Sequence, residues 1–219
     1  DSDLADQHLF HIDIDLTHKW DKNLKEYLKN AFSKKPELKL VTLQATRCCK
    51  GEELLDGIFQ LNGKVYTRDE MLNHSIINTK WIRNILGSKM LIGLENNNYY
   101  PTPAYDIITD GDFITKVIEK NNLFLLLDIA HAMVTSHNKK IGYDQYISTL
   151  PLDRLIQLHI CQPKLPKGGI AFDTHNEPND EMYLEVIRLI NKYPTIKYLT
   201  IEYYKDKNKL IDSIMKLRH

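Results

Sequence analysis

The sequence predicts an α/β fold, a TIM-type (β/α)8 barrel whose first unit is missing or distorted. Three observations carry that reading. Short, continuously apolar runs alternate along the chain with segments whose apolar residues recur every three or four positions. The runs are apolar on both faces, as strands are in a parallel sheet covered by helices. About six runs are clear in 219 residues, where a closed barrel takes eight in ~250. A doubly wound open sheet is the rival. One domain over residues 1–219 accommodates the pattern, and a chain of this length buries a substantial core.

The elements follow in order. "LFHIDIDL" reads as a strand and "KNLKEYLKNAF" as the helix after it. "LKLVTLQA" is the next strand, and the long stretch from Glu52 to Leu86 reads as mixed loop and helix. "KMLIGLE" is a strand followed by the helical "DGDFITKVIEKN". "LFLLLDIA" is a strand followed by a short helix at "YDQYISTL". "LIQLHI" is a strand, "NDEMYLEVIRLINKY" a helix, "KYLTIEYY" a strand and "KNKLIDSIMKL" the closing helix. Strand–helix alternation of this kind implies parallel strands joined by crossover helices.

Composition narrows the function. Lysine plus arginine equals aspartate plus glutamate, 29 each, so no broad field for nucleic acid is predicted. No apolar run approaches the ~20 residues needed to cross a bilayer. No basic-then-apolar leader opens the chain, which starts without Met, as a processed or trimmed start would. Neither GxGxxG nor a P-loop follows a strand. Cys48, Cys49 and Cys161 are an odd count with an adjacent pair, a poor disulfide framework, and imply a reducing, cytoplasmic setting. The Cys48–Cys49 pair reads as small core or loop residues, since no CxxC spacing supports a thiolate site.

Polar residues stand where the strands end. His11 lies in the first run; Glu95 ends "MLIGLE", with Asn96 next; Asp128 ends "LFLLLD"; His159 lies in "LIQLHI"; Glu202 ends "YLTIE". Parallel strands bring their carboxyl ends to one rim, so these distant residues become neighbours. Carboxylates gathered there would repel one another without cations between them. Imidazoles with carboxylates form a mixed N/O ligand set suited to iron, manganese or zinc rather than calcium. Asp173 and His175, in "DTH", are two apart, so on an extended segment both point to one side. His131, three after Asp128, joins it only if the strand stops at Asp128 and the chain turns.

With these residues in place, the chain resembles the multinuclear iron enzymes of the MbnB/TglH type. The matching pieces are "LENNNYY", "LLLDIAH" with "SHN", "LHI", "FDTHNEP" and "LTIEYY", from about Lys89 to Asp206. The resemblance implies a xylose-isomerase-like TIM barrel holding two or three irons, Fe(II) and Fe(III). It implies dioxygen-dependent oxidation of cysteine in a ribosomally made precursor peptide, as in methanobactin biosynthesis, with a small partner protein presenting the peptide. Carried over by position, it makes His11, Glu95, Asp128, His131, His159, Asp173, His175 and Glu202 metal ligands. Asp128, His175 and Glu202 would be the catalytic residues, with Asn96 and Asn138 orienting ligands or substrate. Tyr99, Tyr100, Tyr203 and Tyr204 flank the site. His131 stands where many relatives carry Asn, and Gln44 lies nearest to where they carry a further His. The Gly-rich opening strand of the relatives is not visible.

Three other readings compete: a divalent-metal sugar isomerase or epimerase, an endonuclease IV-like phosphodiesterase, and a non-catalytic metal-binding subunit. An isomerase favours a catalytic lysine, and no lysine ends a core strand. A DNA-cutting enzyme favours a basic rim, which the zero net charge does not provide.

Overall fold

The computed structural model describes residues 6–218. The chain runs β1 (Leu9–Asp15), α1 (Lys22–Ser33), β2 (Leu40–Gln44), β3 (Glu53–Leu55), β4 (Ile58–Gln60), α2 (Arg68–Leu86), β5 (Leu91–Glu95) and α3 (Gly111–Asn121). It continues through β6 (Phe124–Asp128), α4 (Ile129–Lys139), α5 (Tyr143–Ile147), β7 (Leu155–Ile160), β8 (Gln162–Lys164), β9 (Phe172–Asn176), α6 (Asp180–Lys192), β10 (Tyr198–Ile201) and α7 (Lys207–Arg218).

Six strands form one parallel sheet in the order β1-β2-β5-β6-β7-β10. That order never reverses, so each crossover advances in the same direction, as in a barrel wall. A doubly wound sheet reverses at a switch point, and that rival is thereby excluded. The sheet is nonetheless open: among the described residues β1 and β10 each pair on one side only. The wall has six strands, as many as the clear apolar runs, and falls short of the eight of a complete barrel. The arc is strongly curled. β1 and β7 are four steps apart, ~19 Å in a flat sheet, yet the rings of His11 and His159 on these strands lie with centroids 5.1 Å apart.

The core follows the apolar runs. All six residues of β7 are buried, as are Leu125, Leu126 and Leu127 of β6. α3 adds Phe113, Ile114, Val117 and Ile118 to the same core, at the three-and-four spacing read from the sequence.

Three local differences from the sequence reading have identifiable causes. "LFLLLDIA" does not stay extended to Ala130. Asp128 is the N-cap of α4, its Oδ1 accepting from His131 N at 2.7 Å, so helix begins at Ile129. The Glu52–Leu86 stretch contains a β3–β4 hairpin turned by Asp56-Gly57, both at positive φ (51° and 79°), the conformation that favours Asp-Gly there. Finally, the "DTH" segment, read only as extended, belongs to a further hairpin: it lies on β9, paired antiparallel to β8.

Candidate metal centre

Glu95 is the last residue of β5 and Asp128 the last of β6; His159 is next to last on β7, and Glu202 follows β10. Register makes them neighbours. Asp128 pairs across the ladder with His159, and Glu202 N donates to Ile160 O at 2.9 Å. The β8–β9 hairpin folds over this rim and adds Asp173 and His175. All eight residues expected as ligands meet here, four carboxylates and four imidazoles.

Their contacts form one chain. His11 Nε2 is 3.4 Å from Glu95 Oε2. His159 Nδ1 lies 3.2 Å from Glu95 Oε1 and 2.9 Å from Glu202 Oε1. His175 Nε2 lies 3.2 Å from Glu202 Oε2 and 3.0 Å from Asp173 Oδ2. His131 Nε2 lies 3.4 Å from Asp173 Oδ2 and 3.9 Å from Asp128 Oδ2. Despite this closeness, both oxygens of Glu95, Asp128 Oδ2 and His159 Nδ1 are buried without a hydrogen bond of acceptable geometry. Buried polar atoms are normally satisfied. Ligand atoms that converge yet do not bond one another are what a cation site requires, and the donor set fits iron or another first-row ion.

Without a cation, protons supply the positive charge. Burial opposes the charged form of His159, but Glu202 and Glu95 outweigh it and lift its pKa to about 10. Asp173 and then Glu202 lift His175 to about 10. Burial pushes the Asp128 carboxyl up to about 7, with Glu95 and Glu202 adding to the shift. Burial works against the ionised Asp173, but His131 and His175 hold its carboxyl well below the usual range. A metal must therefore displace protons from imidazoles. Metal affinity is expected to rise with pH up to about 10, with more than one proton released per loaded chain at pH 7. Titration calorimetry in two buffers of different ionisation enthalpy measures this; release of less than one proton contradicts the picture.

The neighbours of the cluster divide clearly. Asn96 lies behind the ligands: its side chain exchanges hydrogen bonds with the Asp128 backbone (2.9 and 3.1 Å), and its carbonyl accepts from His131 Nδ1 at 2.9 Å. Asn138, expected to orient ligands or substrate, instead joins two loops. It donates to Tyr99 O and Ala171 O and accepts from Ala171 N. All of its recorded bonds go to backbone, so it acts on the centre only by positioning the hairpin. Gln44 does face the cluster, its Nε2 3.2 Å from His11 Nε2. Gln157 Nε2 meets His159 Nε2 at 3.0 Å while its own Oε1 is buried without a partner. Turned by 180°, that amide accepts from His159 Nε2–H and leaves Nδ1 as the free lone pair. His175 sits at φ +43°, the left-handed region, and its ring stacks edge-on to Tyr204.

One residue escaped the sequence reading. Cys161 is buried, and its thiol donates to Asp173 Oδ1 at 3.2 Å. Cys161, Asp173 and His175 form one compact group of potential ligands; Glu95, Asp128 and His159 form another; within each group the ligating atoms lie within 4.8 Å of one another. The signal was the "HIC" spacing, because residues two apart at the end of a strand share a face. Cys48 and Cys49 are buried and free, as expected of packing residues.

Asp173→Ala and His175→Ala are each expected to weaken metal binding at least ~10-fold, the lower range for groups that support a metal. The fold should persist, since neither residue belongs to the apolar core. Metal analysis beside circular dichroism checks this; full metal in either variant removes that residue from the centre.

A cavity of about 1100 Å³ opens beside the cluster rather than over it; Asp173 is the one candidate ligand among its lining residues. Arg47, Tyr66, Asn97 and Tyr100 line it too. No helix among the described residues is long and apolar enough to cross a membrane.

Comparison with known proteins agrees with this architecture. The chain is similar to a 3-keto-D-glucoside 4-epimerase from E. coli, with TM-score 0.60 and 13% identity over 97% of this chain and 79% of that one. It is also similar to an AP endonuclease, family 2, from Brucella melitensis, with TM-score 0.58 and 12% identity over 93% and 75%. At such identities the likeness shows the fold alone. In sequence, a UPF0276 protein of Vibrio parahaemolyticus is 27% identical over 147 residues, 66% of this chain and 47% of that protein. A UPF0276 protein of Caulobacter vibrioides is 29% identical over 85 residues, 39% and 30%. The chain thus spans about half or less of the length of these relatives. The model of the family described as "RiPP precursor modification enzyme MbnB/TglH/ChrH" matches residues 60–209, about two thirds of the chain, and takes in every candidate ligand except His11. The chain belongs to the MbnB/TglH/ChrH family of RiPP precursor modification enzymes.

Proposed function

We propose that this chain works as a multinuclear non-haem iron enzyme that uses dioxygen to oxidise a cysteine of a ribosomally made precursor peptide, presented by a small partner protein. The observation that carries the reading is the convergence of eight nitrogen- and oxygen-bearing side chains, with atoms of Glu95, Asp128 and His159 buried and without hydrogen-bond partners. Family membership supports a peptide as the substrate. When bound, iron supplies the redox equivalents and Lewis acidity for dioxygen chemistry on a thiolate.

The residues of the chain divide the work. Glu95, Asp128, His159 and Glu202 hold the buried side of the centre, and Asp173 and His175 hold its outer side. Asn96 fixes the His131 ring by accepting from Nδ1, so that Nε2 faces inward. The family resemblance assigns the catalytic work to Asp128, His175 and Glu202; of these His175, 36% exposed at its side chain, is the most accessible, and Asp128 is buried. The adjoining cavity is at the upper end of the size of ligand pockets and gives a peptide room to reach Asp173.

The test is anaerobic loading with iron, elemental analysis, and dioxygen uptake with a short cysteine peptide. More than one iron per chain and thiol-dependent uptake are expected. One tightly held zinc, with no iron-dependent uptake, refutes the reading and returns the chain to the other metal-dependent barrel enzymes. Iron without uptake in the presence of peptide and partner leaves a metal-holding subunit.

A further inference from the structure

We propose that Cys161 is a ligand of this centre, so that one metal ion is held by sulfur, oxygen and nitrogen from Cys161, Asp173 and His175. The proposal rests on the reading that the cluster holds metal, and it goes beyond the nitrogen and oxygen set described above.

Geometry carries it. Cys161 leaves β7 two residues after His159, so the thiol and the imidazole come off the same side of the strand end. Sγ lies 3.2 Å from Asp173 Oδ1, and Asp173 Oδ2 lies 3.0 Å from His175 Nε2. The sulfur, oxygen and nitrogen are all within 4.8 Å of one another. Ligands around a tetrahedral ion with bonds of ~2.0–2.3 Å stand about 3.5 Å apart. Closing this triad on an ion therefore takes side-chain adjustments of an ångström or so. Cys161 is fully buried, but it does not face a purely apolar wall. Burial, and then the Asp128 and Asp173 carboxylates, push the Cys161 thiol up, so the sulfur ionises only where a cation offsets them. Asp128 Oδ2 is itself buried and without a hydrogen-bond partner. It also lies 3.9 Å from His131 Nε2, which in turn reaches Asp173 Oδ2. His131 thus links Asp128, in one ligand group, to Asp173 in the other.

The two ends of the centre are then chemically unequal. Glu95, Asp128 and His159 make a harder site, whereas the Cys161 group is softer and favours cobalt, zinc or iron(II) over manganese or magnesium.

The experiment is an anaerobic titration of the metal-free protein with cobalt(II), without peptide. The wild type is expected to show visible d–d bands and a near-ultraviolet thiolate-to-cobalt charge-transfer band. Cys161→Ser and Cys161→Ala should lose the charge-transfer band and keep d–d absorption from the harder site. A Cys48→Ser/Cys49→Ser double variant should keep both. X-ray absorption of cobalt-loaded wild type should show a sulfur shell at about 2.3 Å; this measurement decides the matter even if the Cys161 variants fold poorly. The proposal is overturned if the wild type shows d–d bands with no sulfur signal, or if the charge-transfer band survives in folded Cys161→Ser. If no cobalt is bound at all, the metal-centre reading fails and the proposal fails with it.

Discussion

Asp128→Asn is expected to empty the centre of metal while leaving the metal-free fold at least as stable at neutral pH; Asp128→Ala is expected to damage both. The two carboxylate oxygens of Asp128 do different jobs. Oδ1 accepts from His131 N at 2.7 Å and caps α4, while Oδ2 is buried with no partner. Asparagine caps a helix about as well as aspartate, so its amide oxygen can hold the helix start. Its nitrogen then replaces Oδ2, and an amide nitrogen brings neither the charge nor the lone pair a metal needs. Loss of a direct ligand should exceed the ~10–100-fold typical of supporting groups. The stability comparison follows from the sign of the pKa shift. Burial raises the Asp128 carboxyl from 3.8 to about 7, so the ionised form disfavours the metal-free fold. That cost is absent below the unfolded value and grows as pH rises toward 7. Asparagine removes it. Alanine also removes the cap, which costs about 0.5–2 kcal/mol, or about 2–4 °C in Tm per kcal/mol for a domain of this size. Metal content and thermal unfolding of the metal-free variants at pH 5 and 7 check both parts. Full metal in Asp128→Asn would remove Oδ2 from the centre.

Much of this centre is legible in the sequence because a parallel sheet turns sequence position into spatial position. Glu95, Asp128 and Glu202 each end an apolar run, and a carboxylate there has no packing reason to exist. His159 shows itself as a polar residue inside a run buried at every position. What the sequence hid was of three kinds. The curl that brings His11 on β1 against His159 on β7 is a cumulative property of strand pairing and leaves no mark on periodicity. The start of α4 depends on a hydrogen bond from His131 N to Asp128, while the leucines before it continue the apolar run into Ile129. The β8–β9 hairpin spans "QPKLPKGGIAFDTHN", which alternates poorly, and its ladder is irregular between Gln162 and Lys164. Beyond the "HIC" spacing, Cys161 carries no site signal in the sequence because its partner Asp173 lies on that hairpin. Asn138 reaches the centre only indirectly: its bonds go to the backbone of Tyr99 and of Ala171, next to the strand that carries Asp173 and His175.

His131 is the residue whose two replacements should differ most in metal content. The ring does not turn away to pack against Met133 or Tyr143. Nδ1–H donates to Asn96 O at 2.9 Å, which leaves Nε2, 3.4 Å from Asp173 Oδ2, as the nitrogen that would give up its proton to a metal. Asp128 and Glu95 keep the imidazole protonated well above its ordinary range against the opposing effect of burial, so in the metal-free protein it provides part of the cation's charge. His131→Leu removes both the ligating nitrogen of the metal-bound state and the positive charge of the metal-free one, and leaves the buried Asn96 carbonyl without its partner, at a cost of about 1–3 kcal/mol. It should lose one iron selectively, the ion beside Asp173. His131→Asn imitates the side chain many relatives carry here. Its amide can approach either Asn96 O or the centre, and an amide oxygen coordinates iron more weakly than imidazole. Part of the metal and part of the activity should therefore remain. Were His131 only a packing residue, leucine would be the milder change and asparagine the worse. Iron per chain, measured in the two variants beside the wild type, separates these cases: equal metal in His131→Leu and the wild type removes His131 from the centre.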